Sequence, residues 1–427
     1  MSTSSSGRAS GPSLDPAALD LLRDAGALCL LAAALGLRWT VPDGTTDVFW
    51  VLGSLALVAV SVAVPHLRRR GPLARLSASA SLAVRWAAGV PLLVSAAVVV
   101  IDDLLHVGDP VLAPRFDEVA RSGIGLAVGV SLAGLVLAAQ PRHDERGTRF
   151  DALWPPLATA LLVAGCAMLL VTQAIGLVRV LDQLPFDRAQ VVASLAFPLA
   201  LLAVLAVPAL LARRDPGWWR PVAAVGLALL VLAVLFGGGR GGTVQVSAAE
   251  TATSGAGLFL VLPGAAAALS APVLGRTASD VSVEAWLRTV GRALILLAVG
   301  LALPLVDRIV LVADAEGVPA SAYLQIGLLL VMVLLALIGR WLLGGADAGT
   351  LTEASAARLR VVVVLGVLLV LGAAAVLCGS RADGFPLTDV EVATWLGLTG
   401  LGLGALLVPP AVRAHFPPLV ARGAAGE

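Results

Sequence analysis

The chain has 427 residues, of which 59% are hydrophobic and only 13% are charged, and its mean hydropathy is +0.95. A soluble domain carries about 25% charged residues, so this composition excludes a chain made of ordinary water-facing domains. The formal net charge is +1, far from the basic balance of nucleic-acid-binding proteins, and we expect no nucleic-acid partner.

The N-terminal residues 1–18 are rich in Ser, Gly and Pro and contain no apolar core. Such a segment cannot bury enough surface to fold, so a disordered tail is predicted. It is not expected to be a cleavable signal, because the first apolar run starts late and no small-residue cleavage site leads into a soluble domain. Residues 19–412 are predicted to form a transmembrane bundle, and 413–427 a second tail.

Twelve apolar segments follow one another, each about 16–22 residues long. A helix needs about 20 residues to cross the hydrocarbon core of a bilayer. Strands are not expected, because an open strand edge would leave backbone groups unpaired in lipid. The predicted spans are approximately 19–38, 48–66, 84–104, 119–139, 153–175, 190–212, 221–237, 254–275, 289–306, 322–343, 360–379 and 391–412. The expected fold is all-α, a polytopic transmembrane helix bundle of about 12 spans arranged as six tandem hairpins.

All 29 basic residues are arginines, and they mark every second boundary between apolar segments. These boundaries lie 62–72 residues apart, at Arg23, Arg85, Arg149, Arg220, Arg288 and Arg360. With both termini on one side, that side holds 21 of the 29 arginines and 12 of the 28 acidic residues. The positive-inside rule then predicts that both tails are cytoplasmic. The Ala, Leu, Val, Gly and Arg bias without Lys indicates a GC-rich bacterial genome, so the predicted location is the bacterial inner membrane.

A cluster of titratable residues, Asp102, Asp103 and His106, lies at the outer end of the third predicted span. Asp102 and His106 are four residues apart and therefore share one face of a helix. Such a cluster fits a proton-coupling or metal-contacting site, or an acidic pair like those of membrane glycosyltransferases that use lipid-linked sugars. The alternative is a solvated helix end at the membrane interface.

Two adjacent charged pairs flank unusually short apolar runs. Arg23 and Asp24 precede the 13 apolar residues 25–37, and Asp307 and Arg308 follow the 14 apolar residues 293–306. Both pairs are therefore predicted to lie at the hydrocarbon edge, where a charge is costly and is a candidate for function. Snorkelling of the arginines to the headgroups is the alternative.

Other motifs indicate packing rather than chemistry. Gly125 with Gly129 and Gly400 with Gly404 have the GxxxG spacing that allows helices to approach closely. Cys29, Cys166 and Cys378 lie in or near apolar runs without a CxxC pair, and the four histidines lie at four different boundaries. We therefore predict no catalytic residue, no cofactor and no metal site.

Three functions are compatible with this organisation. A secondary transporter or lipid-handling permease of unknown substrate, with the lipid bilayer as its partner, agrees best with twelve spans and two cytoplasmic tails. The alternative is a non-catalytic membrane scaffold or subunit that binds a partner protein of a cell-envelope complex, because no span has a carboxylate at its centre. An enzyme acting on a lipid-linked donor is less favoured, since no outer link exceeds about 20 residues.

The first predicted hairpin carries a resemblance. Its sequence runs from Leu22-Arg23-Asp24 through Leu37-Arg38-Trp39 and the segment from Thr46 to Pro65, and it ends in Arg68-Arg69-Arg70. This pattern resembles the uncharacterised multi-pass membrane proteins of high-GC Gram-positive bacteria. The resemblance covers about 50 residues and implies a location in the cell envelope, without a known activity or site residues.

Overall fold

A computed structural model of the chain describes residues 16–37, 39, 48–106, 124–183, 188–236, 255–277, 282–314, 317–344, 351–381 and 387–416. Within these ranges the chain forms α-helices, short 3-10 turns and one π-helical segment, and no β-strand. The prediction of an all-α fold is therefore confirmed. Both predicted tails lie almost wholly outside the described residues.

The α-helices, in chain order, are α1 Pro16–Gly36, α2 Val48–Ser61, α3 Val64–Arg70, α4 Ala78–His106, α5 Leu126–Ala139, α6 Trp154–Gln183, α7 Arg188–Leu201, α8 Val207–Leu211, α9 Trp219–Phe236, α10 Gly255–Ala268, α11 Ala271–Thr277, α12 Val283–Asp314, α13 Ala320–Gly344, α14 Leu351–Arg381, α15 Asp389–Leu407 and α16 Pro410–His415. The π-helical segment Leu202–Ala206 joins α7 to α8.

Eight described helices are long and apolar enough to cross a membrane, which indicates a membrane-embedded protein. A ninth span results if α10 and α11, which are bent by 55° at their junction, cross together. Each of the twelve predicted segments coincides with a helix or a broken helix. Four of the predicted segments are not among the eight long apolar helices. They correspond to α1, which contains three charges, to the bent α10–α11 pair, and to the shorter apolar helices Leu126–Ala139 and Leu195–Leu211.

Local sequence accounts for several helix ends. Helix α5 ends at Ala139 because Pro141 forces the preceding residue, Gln140, into an extended conformation with ψ 142°. Helix α15 begins with a capping box, in which Glu391 N donates to Thr388 Oγ1 at 3.3 Å and Thr388 N donates to Glu391 Oε2 at 2.7 Å. These signals place the ends of the helices that carry the buried charges described below.

The helices group into three units of four. The N-terminal unit (residues 16–139) contains α1, α2 with α3, α4 and α5, the central unit (154–277) contains α6, α7 with α8, α9, and α10 with α11, and the C-terminal unit (283–407) contains α12 to α15. In each unit the first helix packs against the second and the fourth, and the third helix also packs against the second and the fourth. Each unit is therefore a closed ring of four helices.

The centre of the molecule lies where the units meet. Helix α5 packs against α10, α9 packs against α15, and α7 packs against α12. All residues of α5 from Ala127 to Ala139 are buried, and so are residues 261–268 of α10. Residues 127–139 of α5 and 261–268 of α10 are thus shielded by protein on all sides, which agrees with their almost entirely small and aliphatic side chains.

Close helix approach in α15 occurs at a different glycine from the predicted Gly400–Gly404 pair. No atom lies within 4 Å of a Cβ built on Gly400 or on Gly404, so that prediction is wrong for this pair. A Cβ on Gly397 would lie 2.7 Å from the backbone oxygen of Ala224, and one on Gly226 would lie 3.0 Å from the Cβ of Ala265. The tight contact between α15 and α9 is therefore made at Gly397.

One arginine recurs at the same place in each unit. It lies near the start of the third helix and donates to the last carbonyls of the fourth: Arg85 Nη1 to Ala138 O and Gln140 O, both at 2.8 Å, Arg220 Nη2 to Thr277 O at 2.7 Å, and Arg358 Nη2 to Leu406 O at 2.7 Å. Cations and hydrogen-bond donors are favoured at a helix C-terminus, where carbonyls lack partners and the dipole is negative. We call these three residues the capping arginines.

Candidate functional site

A network of buried charges fills one end of the N-terminal unit, where the link between α5 and α6 crosses the ends of α1, α3 and α4. Its deepest pair joins Arg85 to Glu145, whose side chains are 0% and 1% exposed. Glu145 also accepts from Ser81 Oγ at 2.7 Å and from Arg142 N at 2.9 Å. The carboxylate thus receives three donors, which compensates the loss of water around it.

A second buried ion pair lies next to the first and joins Arg142 to Asp24 of α1. Arg142 also donates to the backbone oxygens of Gln140 at 3.0 Å and Leu137 at 3.3 Å. The other oxygen of Asp24, Oδ2, lies 2.8 Å from His66 Nε2. The end of α5 is consequently tied to α1 through Arg142, and α1 is tied to α3 through His66.

The outer part of the network centres on Asp20, which is buried, and on Asp144, which is partly exposed. Arg69 donates to both, at 2.9 Å to Asp20 Oδ2 and 2.7 Å to Asp144 Oδ1, while Arg68 donates to Asp144 and Arg23 to Asp20. Partial burial opposes ionisation of Asp144, but the hydrogen bond and charge of Arg69, with the charge of Arg68, outweigh it and lower its pKa. Five guanidinium groups thus face four carboxylates.

A possible metal-ligand set occurs within the network. Ligand atoms of Asp20, His143 and Asp144 lie within 4.8 Å of one another. However, Asp20 Oδ2 already accepts from Arg69 and from His143 N at 3.0 Å, and the oxygens of Asp144 accept from Arg68 and Arg69. These arginines neutralise the carboxylates, so the group is a salt-bridge network rather than a built cation site.

The corresponding end of the central unit contains a cavity of about 580 Å³. One wall is formed by the first turns of α6, including Pro155, Ala160 and Ala164, and the facing wall by Leu210 of α8. Ala160, Ala164 and Leu210 are exposed, so the cavity opens at the side of the bundle. Its size falls within the range of about 300–1,000 Å³ that is typical of small-molecule sites.

The polar part of the cavity is basic. Arg213, which follows α8, and Arg276 of α11 line it together with the buried ring of Trp219, and none of the lining residues that the structure describes is a carboxylate. Thr159, also in the lining, uses its hydroxyl to donate to Pro155 O at 2.9 Å. The cavity therefore combines apolar walls with two cations at one end.

A further charged pair lies at the opposite end of the C-terminal unit. Arg308 of α12 donates to both carboxylate oxygens of Glu391 of α15, at 2.8 Å for Nη2 to Oε2, and both side chains are 5% exposed. Asp307 Oδ1 is buried without a hydrogen-bond partner among the described residues. This pair joins the end of the first helix of that unit to the start of the fourth.

A family comparison decides where the chain belongs. Residues 20–415 match the model of a domain of unknown function, DUF7937. The chain is a member of the DUF7937 family. The matched range contains the network, the cavity and the three capping arginines of this DUF7937 protein. No curated protein and no solved structure matches the chain.

Arg23, Asp24 and Arg308, from the two charged pairs predicted at the hydrocarbon edge, bind residues outside those pairs. Arg23 and Asp24 are both largely buried, but Arg23 binds Asp20 and Asp24 binds Arg142. Arg308 binds Glu391, 83 residues later in the sequence, although Asp307 is adjacent. Neighbours in a helix point in different directions, so sequence adjacency did not predict these partners.

The predicted outer cluster remains a prediction. Asp102, Asp103 and His106 lie in the last turns of α4, and their side chains lie outside the described part of the chain. Sequence reasoning missed Glu145, Arg142 and Glu391, which make the buried pairs. The available signal was the sequence His143-Asp144-Glu145, which places two acids inside an otherwise arginine-rich boundary.

Proposed function

We propose that this DUF7937 protein is a carrier in the bacterial inner membrane that handles lipid-like amphiphiles. The observation that carries the proposal is the cavity of the central unit, which has apolar walls, two arginines at one end and an opening at the side of the bundle. A soluble substrate needs an opening toward water, whereas an amphiphile enters from the bilayer with its polar group at the interface. Its chain then lies against the apolar walls of the cavity.

The proposal includes twelve crossings, two cytoplasmic tails and six hairpins. Contacts between distant residues support it, because each joins helix ends that the arginine pattern assigns to the same side. On the arginine-rich side, Arg292 pairs with Asp215 and Arg358 stacks over Phe416 at 5.1 Å. On the other side, Gly125 N donates to Trp39 O at 2.9 Å. In this topology the cavity lies in the cytoplasmic half of the membrane.

Topology is testable by cysteine labelling in intact cells. The three native cysteines, Cys29, Cys166 and Cys378, are first replaced by alanine. A membrane-impermeant maleimide added from outside is expected to label Ala320→Cys, at the start of α13, and to label Ser79→Cys, at the start of α4, only after the membrane is opened. Labelling of Ser79→Cys in intact cells without labelling of Ala320→Cys would reverse the proposed orientation.

Lipid movement is testable in proteoliposomes with fluorescent phosphatidylglycerol, whose outer-leaflet label is quenched by dithionite. The wild-type chain, with and without an imposed proton gradient, is expected to expose inner-leaflet label to the quencher. Ala164→Trp fills the cavity and is expected to slow this exposure at least about tenfold, since the walls of α6 and α8 then touch. Ala167→Trp adds the same bulk to an exposed position of α6 outside the cavity lining and is expected to behave like wild type.

The alternative, a non-catalytic subunit of an envelope complex, makes the opposite prediction in the same experiment. A scaffold would leave the label protected in every variant, and Ala164→Trp would have no effect beyond that of Ala167→Trp. The buried network, which ties four segments together without touching the cavity lining, would be equally compatible with that role.

A further inference from the structure

Each of the three units has a capping arginine at the same end, so the residues around this arginine can be compared between units. Each capping arginine also contacts a residue that follows the fourth helix of its unit. Arg85 pairs with Glu145, Arg220 lies over the Trp286 ring at 4.3 Å, and Arg358 lies over the Phe416 ring at 5.1 Å. The capping arginines thus provide a common reference, from which the residues around them can be compared between units.

In the N-terminal unit, the cations at this end are neutralised by the protein. Arg69, at the end of the second helix, pairs with Asp20 of the first helix, and Arg142, after the fourth helix, pairs with Asp24 of the first helix. The first helix therefore supplies carboxylates that fill the space between the four helices. The unit is closed at this end by its own charges.

In the central unit, arginines stand in similar segments, but the described residues of α6 at this end include no acid. Arg213 follows the second helix and Arg276 lies in the last turn of the fourth. The α6 residues that face them are Pro155, Pro156, Thr159, Ala160, Val163 and Ala164. The α6 residues at this end are thus small and mostly apolar where α1 has carboxylates, and they line the cavity.

We propose that the cavity of the central unit binds the phosphate headgroup of a phospholipid from the cytoplasmic leaflet, with Arg213 and Arg276 as its cationic contacts. This inference rests on the proposed function and adds its ligand class. Guanidinium groups suit phosphate oxygens because they donate in a planar fork. A lipid is favoured over a soluble phosphate because the cavity walls are apolar and open sideways.

The length of the cavity along α6 agrees with the thickness of one leaflet of a bilayer. The lining residues of α6 extend from Pro155 to Ala164, which at 1.5 Å per residue is about 14 Å along the helix. The hydrocarbon core of a bilayer is about 30 Å thick, so this length is close to one leaflet. With the arginines at the headgroup level, an acyl chain lies along Ala160 and Val163 toward the middle of the membrane.

The test uses the purified full chain in neutral detergent micelles, with thermal unfolding as the readout. Phosphatidylglycerol is expected to raise the unfolding midpoint of the wild-type chain. Arg213→Ala is expected to need about tenfold more of this lipid for the same rise, because a charge-assisted contact is lost. Arg214→Ala is the matched control, since Arg214 is the adjacent exposed arginine and does not line the cavity. It is expected to respond like wild type.

Four outcomes would refute the proposed lipid site. The unfolding midpoint does not rise with phosphatidylglycerol, rises equally with a neutral diglucosyl lipid of the same acyl chains, or rises equally with inorganic phosphate alone. The fourth outcome is that Arg213→Ala and Arg214→Ala respond equally to phosphatidylglycerol. The unfolding midpoint without lipid shows whether each variant folds. A lipid response that depends on Arg213, with no lipid movement in proteoliposomes, would keep this site and refute the carrier. Lipid movement that is insensitive to Arg213→Ala would refute only the site.

Discussion

Replacing Glu145 by Gln is expected to lower the free energy of unfolding by about 3–5 kcal/mol, because it leaves the guanidinium of Arg85 buried without a counter-charge. The two side chains are 0% and 1% exposed, so water cannot take the place of the lost carboxylate. The measurement is reversible unfolding in mixed micelles with increasing sodium dodecyl sulfate, followed by tryptophan fluorescence.

A solvated pair of the same chemistry is the control. Asp215 pairs with Arg292, but its side chain is 46% exposed, so Asp215→Asn is expected to cost at most about 1 kcal/mol. Burial opposes ionisation of Asp215, yet its hydrogen bonds to Arg292 and Gly217 N lower its pKa, so this pair is intact at neutral pH. Equal losses in the two variants would contradict the view that burial gives the Arg85–Glu145 pair its importance.

Gly397→Ala and Gly400→Ala are expected to change stability in opposite directions. A methyl group on Gly397 would lie 2.7 Å from Ala224 O and 2.9 Å from Val225 Cα, which are backbone atoms of α9 that a rotamer change cannot move. Overpacking of this kind costs about 1–3 kcal/mol, and it separates the central unit from the C-terminal unit. On Gly400 no atom lies within 4 Å, and alanine is favoured over glycine in a helix by about 1 kcal/mol.

The same unfolding measurement compares the two glycine variants, and each serves as the control for the other. Both changes add one methyl group to α15, three residues apart. If Gly397→Ala were as stable as Gly400→Ala, the close approach between α15 and α9 would be absent in the folded protein.

The helices were predictable because hydrophobicity alone determines them in this chain. Every predicted segment coincides with a helix or a broken helix, and the prediction required only apolar runs of sufficient length and the rule that backbone groups be satisfied in lipid. The helix pairing was not predictable in the same way. Uniformly apolar helices such as α5 and α10 have no polar face to indicate which neighbour they contact, and the three four-helix rings are set by shape.

The position of the charged residues along the chain was predictable, but their binding partners were not. The arginine pattern identified Arg85 and Arg220 as boundary residues, and both are capping arginines. The third, Arg358, lies two residues before the predicted boundary at Arg360. The pattern did not indicate that these side chains bind carbonyls at the end of another helix. Partners such as Arg142 and Asp24, 118 residues apart in the sequence, depend on tertiary packing.

Photo-crosslinking can show whether an inner-leaflet phospholipid occupies the cavity of the central unit, as we propose. The wild-type chain is reconstituted with phosphatidylglycerol that carries a diazirine in its acyl chain, irradiated and digested. We predict labelled peptides from residues 155–164 and 207–213 at levels well above those of α13, whose Leu330, Leu334 and Leu337 are exposed on the bundle surface. Ala164→Trp is predicted to remove the labels from the cavity and to leave those of α13 unchanged. Equal labelling of both regions, or cavity labels that survive Ala164→Trp, would show that the phospholipid does not occupy this cavity.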